Sequence, residues 1–183
     1  AQPVGHSVIE VNNREDLQAV LNTNAGSGKT LFLRAGEYRL KQSLTIPSDI
    51  HICGEGRSTV LICEPTIRTA AILLGDLDAK NITIENLVVD GSKEHQEAYD
   101  PNSGRFYRTG RYSNALAGIS MRGEAGHAFS NIKLKNLTVI NFSRSGVYIS
   151  DAEGIEIDHC DFTENGAHVV PGPRLQHNLM IQH

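Results

Sequence analysis

The chain has 183 residues, a net charge of −4 and a pI near 6.1. That length suffices for one domain with a sizeable core. The acidic balance speaks against a nucleic-acid partner, and the absence of a long apolar run speaks against a membrane one. Trp is absent, and Ile, Val and Leu come in short runs, a pattern that favours strands over helices.

The chain opens "AQPVGHSV", a small-residue start of the kind that signal cleavage leaves, so a secreted or periplasmic location is expected. In "NNREDLQAVLN", Asn12 and Glu15 have capping-box spacing, and Leu17, Val20 and Leu21 share one helical face. A short amphipathic capping helix is expected there. "NAGSGKT" follows, with Gly28-Lys29-Thr30 resembling the end of a phosphate loop. The required Gly five positions before Gly28 is Thr23, and a helix precedes where a strand should. The segment therefore reads as a turn into the first strand, and no nucleotide partner is expected. Cys53, Cys63 and Cys160 form no CxxC pair and sit in or beside apolar runs, so they read as small buried hydrophobes. A disulfide between Cys53 and Cys63 would require their strands to fall in register.

Four segments repeat: "NITIENLVV" from Asn81, "NIKLKNLTV" from Asn131, "GIEIDHCDF" from Gly154 and "NLMIQH" from Asn178. The last three starts are 23 and 24 residues apart, and the first gap of 50 fits one such turn plus an insertion. Each is preceded by a shorter run: "AILL" at Ala71, "GISM" at Gly118, "GVYI" at Gly146 and "GAHV" at Gly166. Apolar and polar residues alternate at period two, as in half-buried strands. A unit of three short strands cannot bury its inner face alone, whereas stacked units can, which describes a parallel β-helix. Ile82, Ile84, Ile132, Leu134, Ile155 and Ile157 should point inward. Outside, Lys133 should face Glu156 and Lys135 should face Asp158, an exposed ion-pair ladder worth little. Asn86, Asn136, His159 and His183 share a bend position, where a stacked amide can satisfy backbone groups.

"LFLRAGEYRL…LTIPSDIHICGEGRSTVLI", with its Ala-Gly-x-Tyr and Gly-x-Gly turns, resembles the opening of pectin-lyase-like proteins, and "GIEIDHCDF" resembles a pectate-lyase strand pattern. The resemblance covers nearly the whole chain. It implies an all-β, right-handed parallel β-helix, a solenoid of three-strand coils with a short N-terminal capping helix. It also implies that the runs at Ala71, Gly118, Gly146 and Gly166 floor a substrate groove. Relatives place calcium-binding Asp residues, or catalytic Asp sets, just before this strand. This chain has Ser143-Arg144-Ser145 before Gly146 and Glu164-Asn165 before Gly166. No cofactor is therefore expected. Calcium stays open, although its usual ligand positions are not acidic.

Ser120, Tyr148 and His168 should form one outward column on the groove strands, with Arg144 just ahead of Tyr148. Tyr, His and Arg suit β-elimination of an acidic sugar: Arg144 pairs the uronate carboxylate, and His168 or Tyr148 takes the proton beside it while the other serves the leaving oxygen. Exposed residues on a solvated sheet would look the same. The insertion 92–114 interleaves Tyr107 and Tyr112 with Arg108 and Arg111. Rings stack on sugars and Arg binds carboxylates, so this loop, together with Ser120, is the expected substrate-binding set; a plain surface loop is the alternative. "DPNSG" resembles a turn more than a calcium loop. No carboxylates are paired as a hydrolase needs, and His127, His168, His177 and His183 match no metal spacing.

The chain reads as a single β-helix domain, 1–183, with the insertion at 92–114. It stops one strand into a new turn, so further chain beyond His183 is expected. The expected activity is that of a lyase on an acidic, uronic-acid-containing polysaccharide. The alternatives are a glycoside hydrolase on the same fold and a non-catalytic carbohydrate-binding or adhesin module.

Overall fold

The strand alternation read from the sequence becomes two sheets of parallel strands in the computed structural model, which describes residues 7–64, 66–67, 69–92, 98–100, 105–107, 117–123, 126–142, 144–166 and 177–182. The strands in chain order are β1 (Val8–Val11), β2 (Thr30–Leu33), β3 (Gly36–Leu40), β4 (Leu44–Ile46), β5 (Ile50–Cys53), β6 (Thr59–Cys63), β7 (Ala70–Leu74), β8 (Lys80–Asp90), β9 (Ala98–Asp100), β10 (Arg105–Tyr107), β11 (Ala117–Arg122), β12 (Phe129–Ile140), β13 (Ser145–Ser150), β14 (Ala152–Asp158), β15 (Asp161–Thr163) and β16 (His177–Gln182). One α-helix, α1 (Leu17–Thr23), lies between β1 and β2. Among the described residues the fold is mostly β, with parallel sheets and one short α-helix.

A nine-stranded sheet runs β1-β2-β5-β8-β12-β14, with β3, β6 and β15 attached beside it. A five-stranded sheet runs β4-β7-β11-β13-β16. Within the larger sheet, Ile82, Ile132 and Ile155 are register partners, as are Ile84, Leu134 and Ile157. Ile82, Ile84, Ile132 and Leu134 are at most 1% exposed. They join one apolar cluster with Ile72, Ile119 and Val147 of the smaller sheet, so the core lies between the two sheets.

Long strands bend where one residue takes a left-handed conformation. Asn86, Asn136 and His159, the shared bend position of the repeat, have φ of 56°, 48° and 50°. Asn tolerates this region better than most residues. The amide ladder itself forms at the other end of these strands. Asn131 Nδ2 donates to Asn81 Oδ1 at 2.8 Å, and Asn81 Nδ2 donates to Asp49 Oδ1 at 2.7 Å. All three are left-handed. His159 instead pairs with Asp158 at 2.6 Å.

The N-terminal helix forms, but its cap is displaced. Asp16 is the N-cap, its carboxylate accepting from Ala19 N at 3.1 Å. Asn12 and Glu15 close the preceding turn, with Asn12 N donating to Glu15 Oε2 at 2.7 Å. Leu17 and Leu21 are buried as their spacing required. Gln18 reaches the edge strand β4, donating to Thr45 O at 3.0 Å and accepting from Thr45 N at 2.8 Å. This amide occupies the place a further strand would take and satisfies an exposed edge. "NAGSGKT" is a turn, with Gly26 and Gly28 both at φ 67°, and β2 starts at Thr30. The sheet begins earlier than that turn suggested, because β1 already pairs with β2.

The Ala-Gly-x-Tyr turn has a structural use. The Tyr38 hydroxyl is shared between the carbonyls of Val11 and Arg34, each at 2.9 Å. A Cβ on Gly36 would lie 2.8 Å from the Asn13 amide. The three cysteines form no disulfide with one another: Cys53 stands beside Glu85 and Cys63 beside Leu40.

Two expectations are corrected. "NLMIQH" is not a fourth strand of the larger sheet; as β16 it pairs with β13 in the smaller one. Its spacing of 24 residues is coincidental, because the chain between β15 and β16 adds length that the previous turn lacks. Lys133 and Lys135 do face Glu156 and Asp158 in register, as expected, but the ion partner of Lys135 is Glu156. Lys135 Nζ lies 2.9 Å from Glu156, which Lys133 also reaches at 3.5 Å. A lysine stem is long enough to lean diagonally, so register alone did not fix its partner.

Candidate functional site

The outward face of the five-stranded sheet carries the predicted column. Period two sends Ile72, Ile119, Met121, Val147 and Ile149 inward, where they are buried. It leaves Leu73, Ser120, Tyr148 and Met180 as register partners on the other face. Ser120 and Tyr148 are therefore adjacent, as expected. At the next place of the column, the one sequence spacing gives to His168, the register partner of Tyr148 is Met180 of β16. His168 itself lies outside the described residues.

Tyr148 is the centre of the polar group on this face. Its hydroxyl donates to Gln182 Oε1 at 2.8 Å, and Arg122 sits over its ring, Cζ 5.2 Å from the centroid. Arg122, Ser150 and Gln182 are register partners one step beyond Ser120, Tyr148 and Met180. The ring is thus held from above by a cation and at its tip by an amide. A guanidinium stacked on an aromatic face keeps its edge N–H groups free for a carboxylate. Gly118 lets this sheet approach the core at the corner: a Cβ there would stand 2.3 Å from Val139 Cγ1.

Arg144 is exposed on the bend before β13. The guanidinium that the structure places against Tyr148 is that of Arg122, not Arg144. Arg122 was legible, since extending the alternation "Ser120, Met121, Arg122" puts it outward. Gln182 is not legible in this way, because the repeat aligns its strand with those of the larger sheet. Within the insertion, β9 and β10 form an antiparallel pair with Phe106 opposite Tyr99 and Tyr107 opposite Ala98. Arg108, Arg111 and Tyr112 lie outside the described residues.

The outward face of the larger sheet differs in character. Lys133, Lys135 and Glu156 pair with one another there, and the hydrogen bond to Glu156 raises the Lys135 pKa while the bond to Lys135 lowers that of Glu156. Nearer the first strands, His51, Cys53 and Glu85 bring three ligand-type atoms within 4.8 Å of one another. Burial pushes the Cys53 thiol pKa up, opposed by a hydrogen bond from Asn86. In the turns, His127 Nδ1 pairs with Asp78 Oδ2 at 2.9 Å. A cleft of about 540 Å³ separates the start of α1 from β3 and β4; the Gln18 to Thr45 bonds that cross this region mark it as the seam of the cap.

The fold and face define a mostly β protein of parallel sheets with one aromatic, cation-backed outer surface. No protein-family model matches the chain, and no curated protein matches it in sequence. Solved structures do share the fold. An open-reading-frame product of Geobacillus virus E2 aligns at TM-score 0.55 and 18% identity, over 79% of this chain and 28% of that one. The A-module of a mannuronan C-5 epimerase from Azotobacter vinelandii aligns at 0.53 and 16%, over 86% and 46%. A Parabacteroides merdae protein provisionally named a glycosyl hydrolase aligns at 0.51 and 16%, over 96% of each chain. The chain thus spans less than half the length of the first two. At these identities the likeness is one of fold.

Proposed function

We propose that the two parallel sheets are faces of a right-handed parallel β-helix, and that the smaller sheet is the floor of a carbohydrate site for an acidic polysaccharide. The observation that carries this reading is Tyr148, held outward between the Arg122 guanidinium and Gln182. Two of the fold neighbours have carbohydrate-directed names, which supports the substrate class. In the proposed reaction, Arg122 and Arg144 pair the uronate carboxylate and acidify the α-proton. Tyr148 exchanges that proton, and His168 is the second acid-base group. The C4–O bond then breaks, the leaving oxygen takes a proton, and a C4–C5 double bond remains.

A lyase is favoured over a hydrolase because the outward residues described on this sheet offer hydroxyl, guanidinium and amide groups rather than two facing carboxylates. Epimerisation at C5 is the second reading, favoured by the likeness to the epimerase module. It shares the proton abstraction and differs in returning the proton to the opposite face.

Incubating the protein with uronans in D2O separates the readings. Elimination gives an ultraviolet-absorbing unsaturated product. Epimerisation gives deuterium at C5 without absorbance, and hydrolysis gives reducing ends alone. Tyr148→Phe should lower kcat about 100-fold or more while leaving polymer binding in place. An unchanged rate in Tyr148→Phe would remove Tyr148 from the chemistry. Glycan binding with no product of any kind would leave a binding module.

A further inference from the structure

The nine-stranded sheet carries a second polar cluster, on a different face from the carbohydrate site. His51 and Cys53 are two residues apart on β5, and Glu85 stands opposite Cys53 on β8. His51 Nε2 is 2.8 Å from Glu85 Oε1. The other ring nitrogen, Nδ1, is 3.1 Å from the Thr30 hydroxyl, and Thr30 is fully buried. Cys53 Sγ accepts from Asn86 Nδ2 at 3.5 Å and donates to the Gly54 carbonyl at 3.6 Å. The cysteine is 5% exposed, while the His51 and Glu85 side chains are 23% and 21% exposed. An imidazole nitrogen, a thiol and a carboxylate therefore meet at one half-buried point, within 4.8 Å of one another.

We propose that His51, Cys53 and Glu85 form a site for a divalent transition metal of the Zn2+ type, with His51 Nε2, Cys53 Sγ and one Glu85 oxygen as ligands and water in the fourth position. The donor set is that of a borderline-soft ion, since thiolate and imidazole select Zn2+ over Ca2+ or Mg2+. Metal-bound ligands sit roughly 2.0–2.3 Å from the ion, so small side-chain rotations close the triangle. The outer contacts are already in place. Thr30 Oγ1 lies 3.1 Å from Nδ1 and can accept from Nδ1–H once the ion replaces the proton that Nε2 shares with Glu85, the outer contact that ligating histidines use. The Asn86 amide donates to sulfur and supports a thiolate. On binding, the Cys53 thiol releases its proton to solvent, and the single proton of neutral His51 resides on Nδ1. The thiolate and the carboxylate then balance the ion's two charges. Because the ligands come from β5 and β8, the ion ties two neighbouring strands together.

Cobalt(II) titration under reducing conditions tests this. One equivalent should produce the near-ultraviolet sulfur-to-cobalt charge-transfer band, and Zn2+ should bleach it. Zn2+ should also raise the Tm. Cys53→Ser should abolish the band, and Glu85→Gln, at a half-buried position, should weaken binding roughly 10–100-fold. Thr30→Val keeps the side-chain shape and should cost about 10-fold through the lost Nδ1 partner. Cys160→Ser, beside the separate Asp158 and His159 pair, should leave the band unchanged. A folded protein without the band, a band surviving in Cys53→Ser, or one lost in Cys160→Ser would overturn the assignment.

Discussion

Ile132 and Ile155 are register partners at the same place in the repeat, yet Ile132 is fully buried and Ile155 is half-buried. Period two gives both the same direction. Burial needs neighbours: β12 lies between β8 and β14, whereas β14 has β12 on one side and ends the path of described strands. The same contrast separates Val147, fully buried, from its register partner Leu179, 38% exposed. An inward side chain becomes core only when strands on both sides and the facing sheet close over it.

This contrast sets the largest expected effect. Ile132→Ala should cost about 2–5 kcal/mol, the transfer loss plus the cavity it leaves. Ile155→Ala should cost less than half of that, because its site is already open to water. Urea midpoints at a constant m-value measure both. Equal losses would mean that Ile155 is covered in solution and would break the comparison.

The corner of the smaller sheet offers a test of opposite sign, by filling space instead of emptying it. A Cβ on Gly118 would fall 2.3 Å from Val139 Cγ1 and 2.6 Å from the Gly146 carbonyl. The backbone contact cannot move aside as a side chain would. Gly118→Ala should therefore destabilise by about 1–3 kcal/mol through overpacking, read again from the urea midpoint. A neutral result would show that the sheets separate more easily at this corner than the close approach implies.

Local chemistry was well written in the sequence, and long-range register less so. The alternation of "NITIENLVV", "NIKLKNLTV" and "GIEIDHCDF" fixed which residues point inward, because side-chain direction depends only on the residue's place in its own strand. Ser120 and Tyr148 could be paired for the same reason. Met180 could not be placed opposite Tyr148, since that depends on how much chain intervenes between β15 and β16, and spacing alone favoured the wrong sheet. Gln182 was lost with it. The cluster of His51, Cys53 and Glu85 joins two strands separated by more than 30 residues (32 from His51 to its partner Thr83), and no spacing within one strand announces it. Cys53 reads as a small buried hydrophobe because its neighbours are apolar, and it is buried, but on the outer face beside Glu85.

At the first strands, burial comes from side chains bonded to backbone rather than from stacked strands alone. Burial, then the nearby Glu15 and Glu55 carboxylates, push the Tyr38 pKa up from 10.0 to about 12. Between these values the unfolded chain has lost the phenolic proton and the folded chain keeps it. The unfolded state then binds fewer protons, so stability falls as pH rises from 10 to about 12. The loss should be on the order of 2 kcal/mol. Tyr38→Phe should flatten this alkaline limb in pH-dependent urea unfolding while lowering stability modestly at neutral pH. An identical alkaline slope in the variant would place the titration elsewhere.

The smallest effect expected is at the cap. Gln18 makes two hydrogen bonds to Thr45, at 3.0 Å and 2.8 Å, in the manner of a strand that is not there. Gln18→Leu keeps the side-chain bulk and removes both bonds. Thr45 is half-buried, so water recovers part of the loss and the cost should be about 1–2 kcal/mol. The sharper readout is local. The Thr45 amide, which donates to Gln18 Oε1 in the parent protein, should exchange faster in the variant, while the Ile132 amide at the centre of the larger sheet should not change. Faster exchange at both would make α1 a global stabiliser and not an edge seal. Unchanged exchange at Thr45 would mean that the edge of β4 is satisfied without Gln18.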